Sequence, residues 1–296
     1  MNSIERAYLS LNGLSVGDAL GETFFGPNAE AMSAIARREV PAGPWRYTDD
    51  TQMAISVVAA LQSAGQIDPQ ILGQSFAKHY DTSRGYGPST AELLEAVATG
   101  EDAQKKALAS HGGQGSYGSG AAMRVAPLGA FFADDLSRVV HEAQASAMPT
   151  HTHCEAIAGT IAIAVASALA TKVGDGRDMS STDFLKHVLL RTPESVTRNG
   201  INTVYHIDGQ TDPHSVAEQV GSGQSLSAQD TVPFALWCAA NNLHSYEDAF
   251  WKTVSGLGDR DTTCAMVGGI VAMSARSTGI PEAWLRAREP IGDLIQ

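Results

Sequence analysis

The chain has 296 residues, with 20 Lys and Arg against 32 Asp and Glu and a formal net charge of −12. That balance argues against a nucleic-acid clamp, because neutralising phosphates needs a basic footprint. Charged residues make up 18% and apolar residues 43%, the proportions of a globular chain rather than a disordered one.

Apolar residues spaced three and four apart predict helices, in chain order, over 51–64, 69–80, 89–98, 122–133, 155–170, 228–240 and 262–275. Strand signals are weak, since no segment alternates apolar and polar residues over six or more positions. The expected class is all-α, with more than ten helices in one domain over 1–296. The stretch 26–44 reads as a long loop with room for a short helix. His111 to Gly120, HGGQGSYGSG, carries five glycines in ten residues and reads as a loop. Segments 174–181, 207–213 and 221–227 read as surface connections.

Cys154, Cys238 and Cys264 are odd in number and lack C-x-x-C spacing, so neither a disulfide framework nor a thiolate zinc site is indicated. The N-terminal residues lack the basic-then-apolar order of a secretion signal. The most apolar stretch, 157–170, is fourteen residues broken by Gly, Thr and Ser, too short to cross about 30 Å of hydrocarbon. These readings predict a monomeric cytoplasmic protein with no membrane partner.

Two acidic clusters, Thr48-Asp49-Asp50 and Asp259-Arg260-Asp261-Thr262, each stand directly before a predicted helix. N-capping would account for one carboxylate per helix. It accounts less well for adjacent pairs, whose like charges repel unless a cation lies between them. Carboxylates with Thr hydroxyls are hard oxygen donors that suit Mg²⁺, Mn²⁺ or Ca²⁺ rather than zinc. An EF-hand counted from Asp259 fails, because Cys264 falls where Gly is needed and Ile270 where Glu is needed. If folding brings the clusters together, six oxygen donors suffice for two ions about 3.5–4 Å apart.

Gly115, Ser116, Tyr117, Gly118 and Ser119 form a loop whose backbone N–H groups can approach a phosphate, with a following helix N-terminus expected to add dipole. No Walker A or Rossmann fingerprint fits it. Tyr117 is placed to stack on a base or to lie half-buried. His151 and His153 form an H-x-H without a third soft ligand nearby, which leaves a hydrogen-bonding or substrate role. In Gly17-Asp18-Ala19-Leu20-Gly21, one Asp stands between two glycines, as at a tightly packed helix end.

Taken in order, Gly17-Asp18-Ala19-Leu20-Gly21, Thr48-Asp49-Asp50-Thr51, the stretch from Gly115 through Arg124 to Pro127, Thr150-His151 and Asp259-x-Asp261-Thr262 resemble the ADP-ribosylglycohydrolase family. The resemblance runs from about residue 10 to 275. It implies a compact all-α fold and a hydrolase that cleaves the N- or O-glycosidic bond between ADP-ribose and a modified protein side chain or small acceptor. By the same resemblance two Mg²⁺ or Mn²⁺ ions would be held by Thr48, Asp49, Asp50, Asp259, Asp261 and Thr262, with Asp261 bridging. Gly115 to Ser119 would wrap the diphosphate, Tyr117 would stack on adenine, and His151 would touch substrate. Asp50 and Glu22 are the candidate proton carriers. Many relatives carry their Glu several residues beyond G-D-x-x-G, whereas Glu22 follows Gly21 directly.

A chain of net charge −12 can hold an anionic ligand only if metals, backbone N–H groups and Arg124 reverse the local field. Arg260, where many relatives have Thr, is expected to face outward or pair with a carboxylate. Two alternatives use the same residues: a two-metal phosphoester hydrolase, and a non-catalytic family member that binds ADP-ribose or is purely structural.

Overall fold

The computed structural model describes residues 1–276 and 279–292. Ser277, Thr278 and residues 293–296 of the expected 1–296 domain lie outside the described residues. Sixteen α-helices fill the described part: α1 (Ser3–Glu22), α2 (Asn28–Ala36), α3 (Asp49–Ala64), α4 (Pro69–Lys78), α5 (Pro88–Ala98), α6 (Ala103–Gly113), α7 (Ala126–Phe131), α8 (Leu136–Ala147), α9 (Cys154–Gly174), α10 (Ser181–Leu189), α11 (Val196–Tyr205), α12 (Pro213–Val220), α13 (Ala228–Ala240), α14 (Tyr246–Val254), α15 (Arg260–Ala275) and α16 (Glu282–Ala287). Two 3₁₀ turns, Thr82–Arg84 and Ser119–Ala121, complete them. Among the described residues there are no strands, only isolated bridges Trp45 to Arg288 and Gly118 to Ser227. The all-α expectation holds.

Local chemistry sets the helix starts. Asn2 and Glu5 close a reciprocal capping box on α1. Asp68 caps α4 just before Pro69, and Pro88 and Pro213 open α5 and α12, where a missing N–H costs nothing. The helix expected over 122–133 is a correction: Ala122 to Arg124 form a turn, and α7 spans only Ala126–Phe131, with Pro127 in its first turn. Proline has no N–H for a preceding turn to use, so the apolar pattern runs on where the helix does not.

The helix expected over 155–170 is longer, 21 residues from Cys154 to Gly174, and its most apolar 18-residue window has a mean hydropathy of 1.8. By length and composition alone it is long and apolar enough to cross a membrane, contrary to the expectation from 157–170. It is instead a core helix: 89% of its most apolar window is buried within the protein. It is apolar around its whole circumference because α7, α8, α13 and α15 pack on it.

The fold is locked by α1 against α15. Gly13, Gly17 and Gly21 recur every four residues on α1, and a Cβ on each would lie 2.4 Å from Gly268 O, 2.1 Å from Cys264 O and 2.5 Å from Arg260 O. Only hydrogen at these positions lets the two backbones touch. As numbers rise along α1 they fall along α15, so the helices are antiparallel. The C-terminal end of α1, at Glu22, therefore sits beside the N-terminal end of α15, at Asp261.

The start of α3 is tied to the same place. Buried Asp18, one residue beyond Gly17, accepts from Thr48 N at 3.1 Å, Thr48 Oγ1 at 2.9 Å, Thr51 N at 3.1 Å and Thr51 Oγ1 at 2.5 Å. The chain entering α3 is clasped from behind: Trp45 N donates to Ala287 O at 2.7 Å, Glu289 N to Trp45 O at 2.8 Å, and Tyr47 N to Glu289 Oε1 at 2.9 Å.

Candidate active site

The N-termini of α3 and α15, 211 residues apart in sequence, open into one cleft of about 360 Å³ lined by Asp49, Asp50, Asp259, Asp261 and Thr262. Thr48 stands just behind, its hydroxyl within 3.1 Å of Asp50 Oδ2. Capping accounts for little of this. At α3 the cap is Thr48, whose Oγ1 accepts from Asp50 N at 3.4 Å, and at α15 Asp259 makes no side-chain cap bond. Asp50 Oδ1 and Asp261 Oδ1 are buried without a partner, a costly state for a carboxylate oxygen unless something positive meets it.

The electrostatics say the same. Desolvation, then the charge of Asp261, pushes the carboxyls of Asp49, Asp50 and Asp259 above their ordinary range, and desolvation alone leads the rise at Asp261. Asp18, behind them, is raised by burial and by Asp261 in turn. The Asp259 carboxyl is raised by burial and also by its proximity to the Asp261 carboxyl. Among the described residues no three His, Cys, Asp or Glu side chains close into a ready ligand cage. The donors lining the cleft, four carboxylates and the Thr262 hydroxyl, are all hard oxygens, and that set fits Mg²⁺ or Mn²⁺.

The facing wall is Ser116, Tyr117, Gly118, Ser119, Gly120, Met123 and His151. Gly115, at φ +76, sits just behind Ser116, where a Cβ would meet Thr152 Oγ1 at 2.1 Å. The loop expected over 111–120 holds: α6 is bounded at Gly113, but its backbone leaves helical geometry at Ser110, and His111, Gly112 and Gly113 all have positive φ. The helix N-terminus expected after it is only the three-residue turn Ser119–Ala121, too short to carry a useful dipole. Tyr117 is 45% exposed at the mouth, edge-on to His153 at 5.7 Å.

Segment 221–227, expected as a surface connection, is a wall of the cleft. Ser225 and Leu226 line it, Leu226 O accepts from Ser119 N at 3.1 Å, and Ala228 N donates to Tyr117 O at 2.9 Å. Ser222 O accepts from Asp259 N at 3.0 Å, so the same segment braces the second acidic cluster. Gly223, at φ +97, has no room for a side chain: a Cβ there would lie 2.4 Å from Asp259 Cβ. That Gly-x-Gly was the one sequence signal available for this role.

His151 is buried, and its Nδ1 lies 2.7 Å from Thr150 Oγ1. Desolvation, with Arg124 and His111 nearby, lowers its pKa to about 3, so the ring is neutral. Arg124 corrects an expectation. It does not line the cleft but is fully buried, donating to Gly120 O at 3.2 Å, Ser146 O at 3.0 Å and Thr150 Oγ1 at 2.8 Å, with its guanidinium 4.4 Å over the Phe76 ring. Its influence on the cleft is indirect, through Thr150 and through a favourable charge effect on Asp49.

On the far side of Asp261 a second cavity, about 430 Å³, is lined by Glu22, Phe25, Arg46, Tyr47, Thr48, Ser83, Arg84 and Gly85, and it meets the first at Asp261 and Gly85. Glu22 is exposed on its rim, yet desolvation of the carboxyl end and the charge of Asp261 raise its pKa to about 7. Arg260 is the second correction. It neither faces outward nor pairs with a carboxylate; it is buried, donates to Asn28 Oδ1 at 2.7 Å and lies 5.2 Å from the Phe25 ring centre. The contact of its backbone with Gly21 turns the side chain toward the segment after α1.

The family model for ADP-ribosylglycohydrolase matches residues 1–296. An uncharacterized protein of Archaeoglobus fulgidus is 30% identical over 92% of this chain and 88% of its own length. Human ADP-ribosylhydrolase ARH3 is 26% identical over 97% of this chain and 90% of its length. ADP-ribosylarginine hydrolase Tri1 of Serratia proteamaculans is 25% identical over 96% of this chain and 75% of its length. Among solved structures, a chain of an ADP-ribosylglycohydrolase-related protein complex superposes with a TM-score of 0.71 at 23% identity, over 99% of this chain and 95% of that one, a likeness of fold. With that fold, that acidic cleft and a family match along its whole length, the chain belongs to the ADP-ribosylglycohydrolase family of hydrolases.

Proposed function

We propose that the protein is a metal-dependent ADP-ribosyl hydrolase that cleaves the N- or O-glycosidic bond joining ADP-ribose to a protein side chain or small acceptor. The observation that carries this reading is the pair of partnerless buried oxygens, Asp50 Oδ1 and Asp261 Oδ1, among mutually repelling carboxylates that share a cleft with a glycine-rich loop. Human ARH3 and Serratia Tri1, similar along most of this chain, are named for such activities.

Thr48, Asp49 and Asp50 from α3 and Asp259, Asp261 and Thr262 from α15 would hold two Mg²⁺ or Mn²⁺ ions. Bound there, the ions would supply positive charge that keeps the carboxylates ionised and polarises a ribose or water oxygen. The chain's own groups do the rest. Gly115 to Ser119 bind the diphosphate with backbone N–H groups, Tyr117 stacks on adenine, and His151 donates to the ligand. The bond that breaks joins the anomeric carbon of the distal ribose to the acceptor nitrogen or oxygen, through a transition state of oxocarbenium character. Asp50 takes the proton of the attacking water, and Glu22, raised to about 7, gives one to the leaving atom.

Titration calorimetry with ADP-ribose, with and without Mg²⁺ or Mn²⁺, and turnover of ADP-ribosylated arginine and serine peptides test the proposal. Metal-dependent binding with turnover of one linkage is expected. Turnover of a generic phosphomonoester instead would favour a two-metal phosphoester hydrolase. Full metal binding without hydrolysis of any linkage would favour a binding protein.

A further inference from the structure

Proton accounting behind the glycine-rich wall fixes which nitrogen of His151 carries hydrogen. Arg124 has only donors, so Thr150 Oγ1 must accept from its Nη2 at 2.8 Å. Thr150 is buried, and among the described residues its hydroxyl has one other polar neighbour, His151 Nδ1 at 2.7 Å. If Nδ1 carried the proton, the hydroxyl hydrogen would be left buried without an acceptor, a loss comparable to a whole hydrogen bond. The consistent arrangement runs one way, from Arg124 to Thr150 Oγ1 and from the Thr150 hydroxyl to Nδ1. The ring proton of a neutral imidazole is then on Nε2. That nitrogen has no partner among the described residues, and the ring edge bearing it faces the glycine-rich loop. A Cβ on Gly120 would come within 3.0 Å of Nε2 and one on Gly118 within 3.2 Å, so bare backbone at both positions keeps the edge clear. His151 also lines the acidic cleft.

We propose that Arg124 and Thr150 are positioning residues that hold His151 as the Nε2–H tautomer, so that it offers the cleft a neutral donor for an oxygen of the ADP-ribose diphosphate. The ligand part of this rests on the function proposed above; the tautomer part does not. The depressed pKa of His151, near 3, is in keeping with a ring that stays a single-donor group across ordinary pH. A neutral donor suits a cleft whose floor is carboxylate, because it selects ligand oxygens without adding a charge that those carboxylates would capture.

The test is ¹⁵N-histidine NMR on the full chain, combined with ADP-ribose calorimetry in saturating Mg²⁺, for wild type, Thr150→Val and Thr150→Ser. The expected result is an Nε2–H ring at His151 in wild type, an Nδ1–H or mixed ring in Thr150→Val, and recovery in Thr150→Ser. ADP-ribose affinity should fall about tenfold, equivalent to about 1.4 kcal/mol, in the valine variant and recover in the serine variant. A merely structural Thr150 would leave the tautomer unmoved. An Nδ1–H or doubly protonated ring in wild type, or an unchanged tautomer in Thr150→Val, would overturn the relay. A changed tautomer with unchanged ADP-ribose affinity would overturn the donor role. If wild type binds no ADP-ribose, the functional proposal and the donor role fail together, while the NMR result still decides the relay.

Discussion

Gly17→Ala perturbs the contact on which the site depends. The new Cβ would lie 2.1 Å from Cys264 O, 2.7 Å from Cys264 C and 3.3 Å from Ala265 N, all backbone atoms of α15. Ordinary van der Waals contact begins at 3.4 Å, so the helices must part by about 1 Å. Sliding gives no relief, because Gly13 and Gly21 meet α15 backbone at 2.4 and 2.5 Å on either side. Overpacking of this kind costs about 3 kcal/mol, offset by about 1 kcal/mol of helix propensity gained from Gly to Ala. The net loss of about 2 kcal/mol should lower the melting temperature by about 5 °C. The effect on activity should be larger than the effect on stability. Gly17 precedes Asp18, which holds Thr48 and Thr51, and Arg260 and Asp261 stand at the end of the same seam. A 1 Å displacement between catalytic elements is enough to lower rate by about 10²-fold. Calorimetric melting and hydrolysis of an ADP-ribosylated peptide measure both. A variant that melts at or above wild type with full activity would refute the close-packed seam.

Asp261→Ala should abolish Mg²⁺-dependent ADP-ribose binding and lower turnover at least 10³-fold. Without metal it should melt no lower than wild type, because it removes one of several buried like charges; an active, metal-replete variant contradicts the ligand assignment. Glu22→Gln should keep metal-dependent ADP-ribose affinity while kcat falls 10²- to 10⁴-fold, as expected for loss of a general acid, and unaltered kcat would remove Glu22 from the chemistry. His151 titrates near 3 when folded and near 6.5 when unfolded, so its contribution to stability is complete above 6.5 and declines as pH falls toward 3. Between pH 7 and 5 that loss is about 2 kcal/mol. The raised carboxyls of the cleft add a slope of opposite sign to both proteins. Urea unfolding at the two pH values should therefore show the His151 loss as the difference in slope between wild type and His151→Asn, and equal pH slopes in the two proteins would contradict a buried neutral ring.

The sequence by itself determined the helical class, most helix positions and the residues of both acidic clusters, because three-and-four apolar spacing and N-terminal Thr and Asp are local signals. It misplaced what depends on partners. The apolar pattern over 122–133 gave no sign that Arg124 turns inward to bond Ser146 and Thr150. Likewise, 157–170 read as too short to span a membrane, whereas the helix that contains it runs 21 residues, from Cys154 to Gly174, and is buried by its neighbours. Segment 221–227 looked like a connection, since its contacts with Ser119 and Asp259 are made across more than 30 residues of chain. Tertiary structure alone decided that Asp49 and Asp50 share one cleft with Asp259, Asp261 and Thr262. The physical reason is the glycine seam of α1 on α15, with Asp18 beside it: hydrogen in place of side chains brings two backbones into contact, and one buried carboxylate pulls α3 onto their common end.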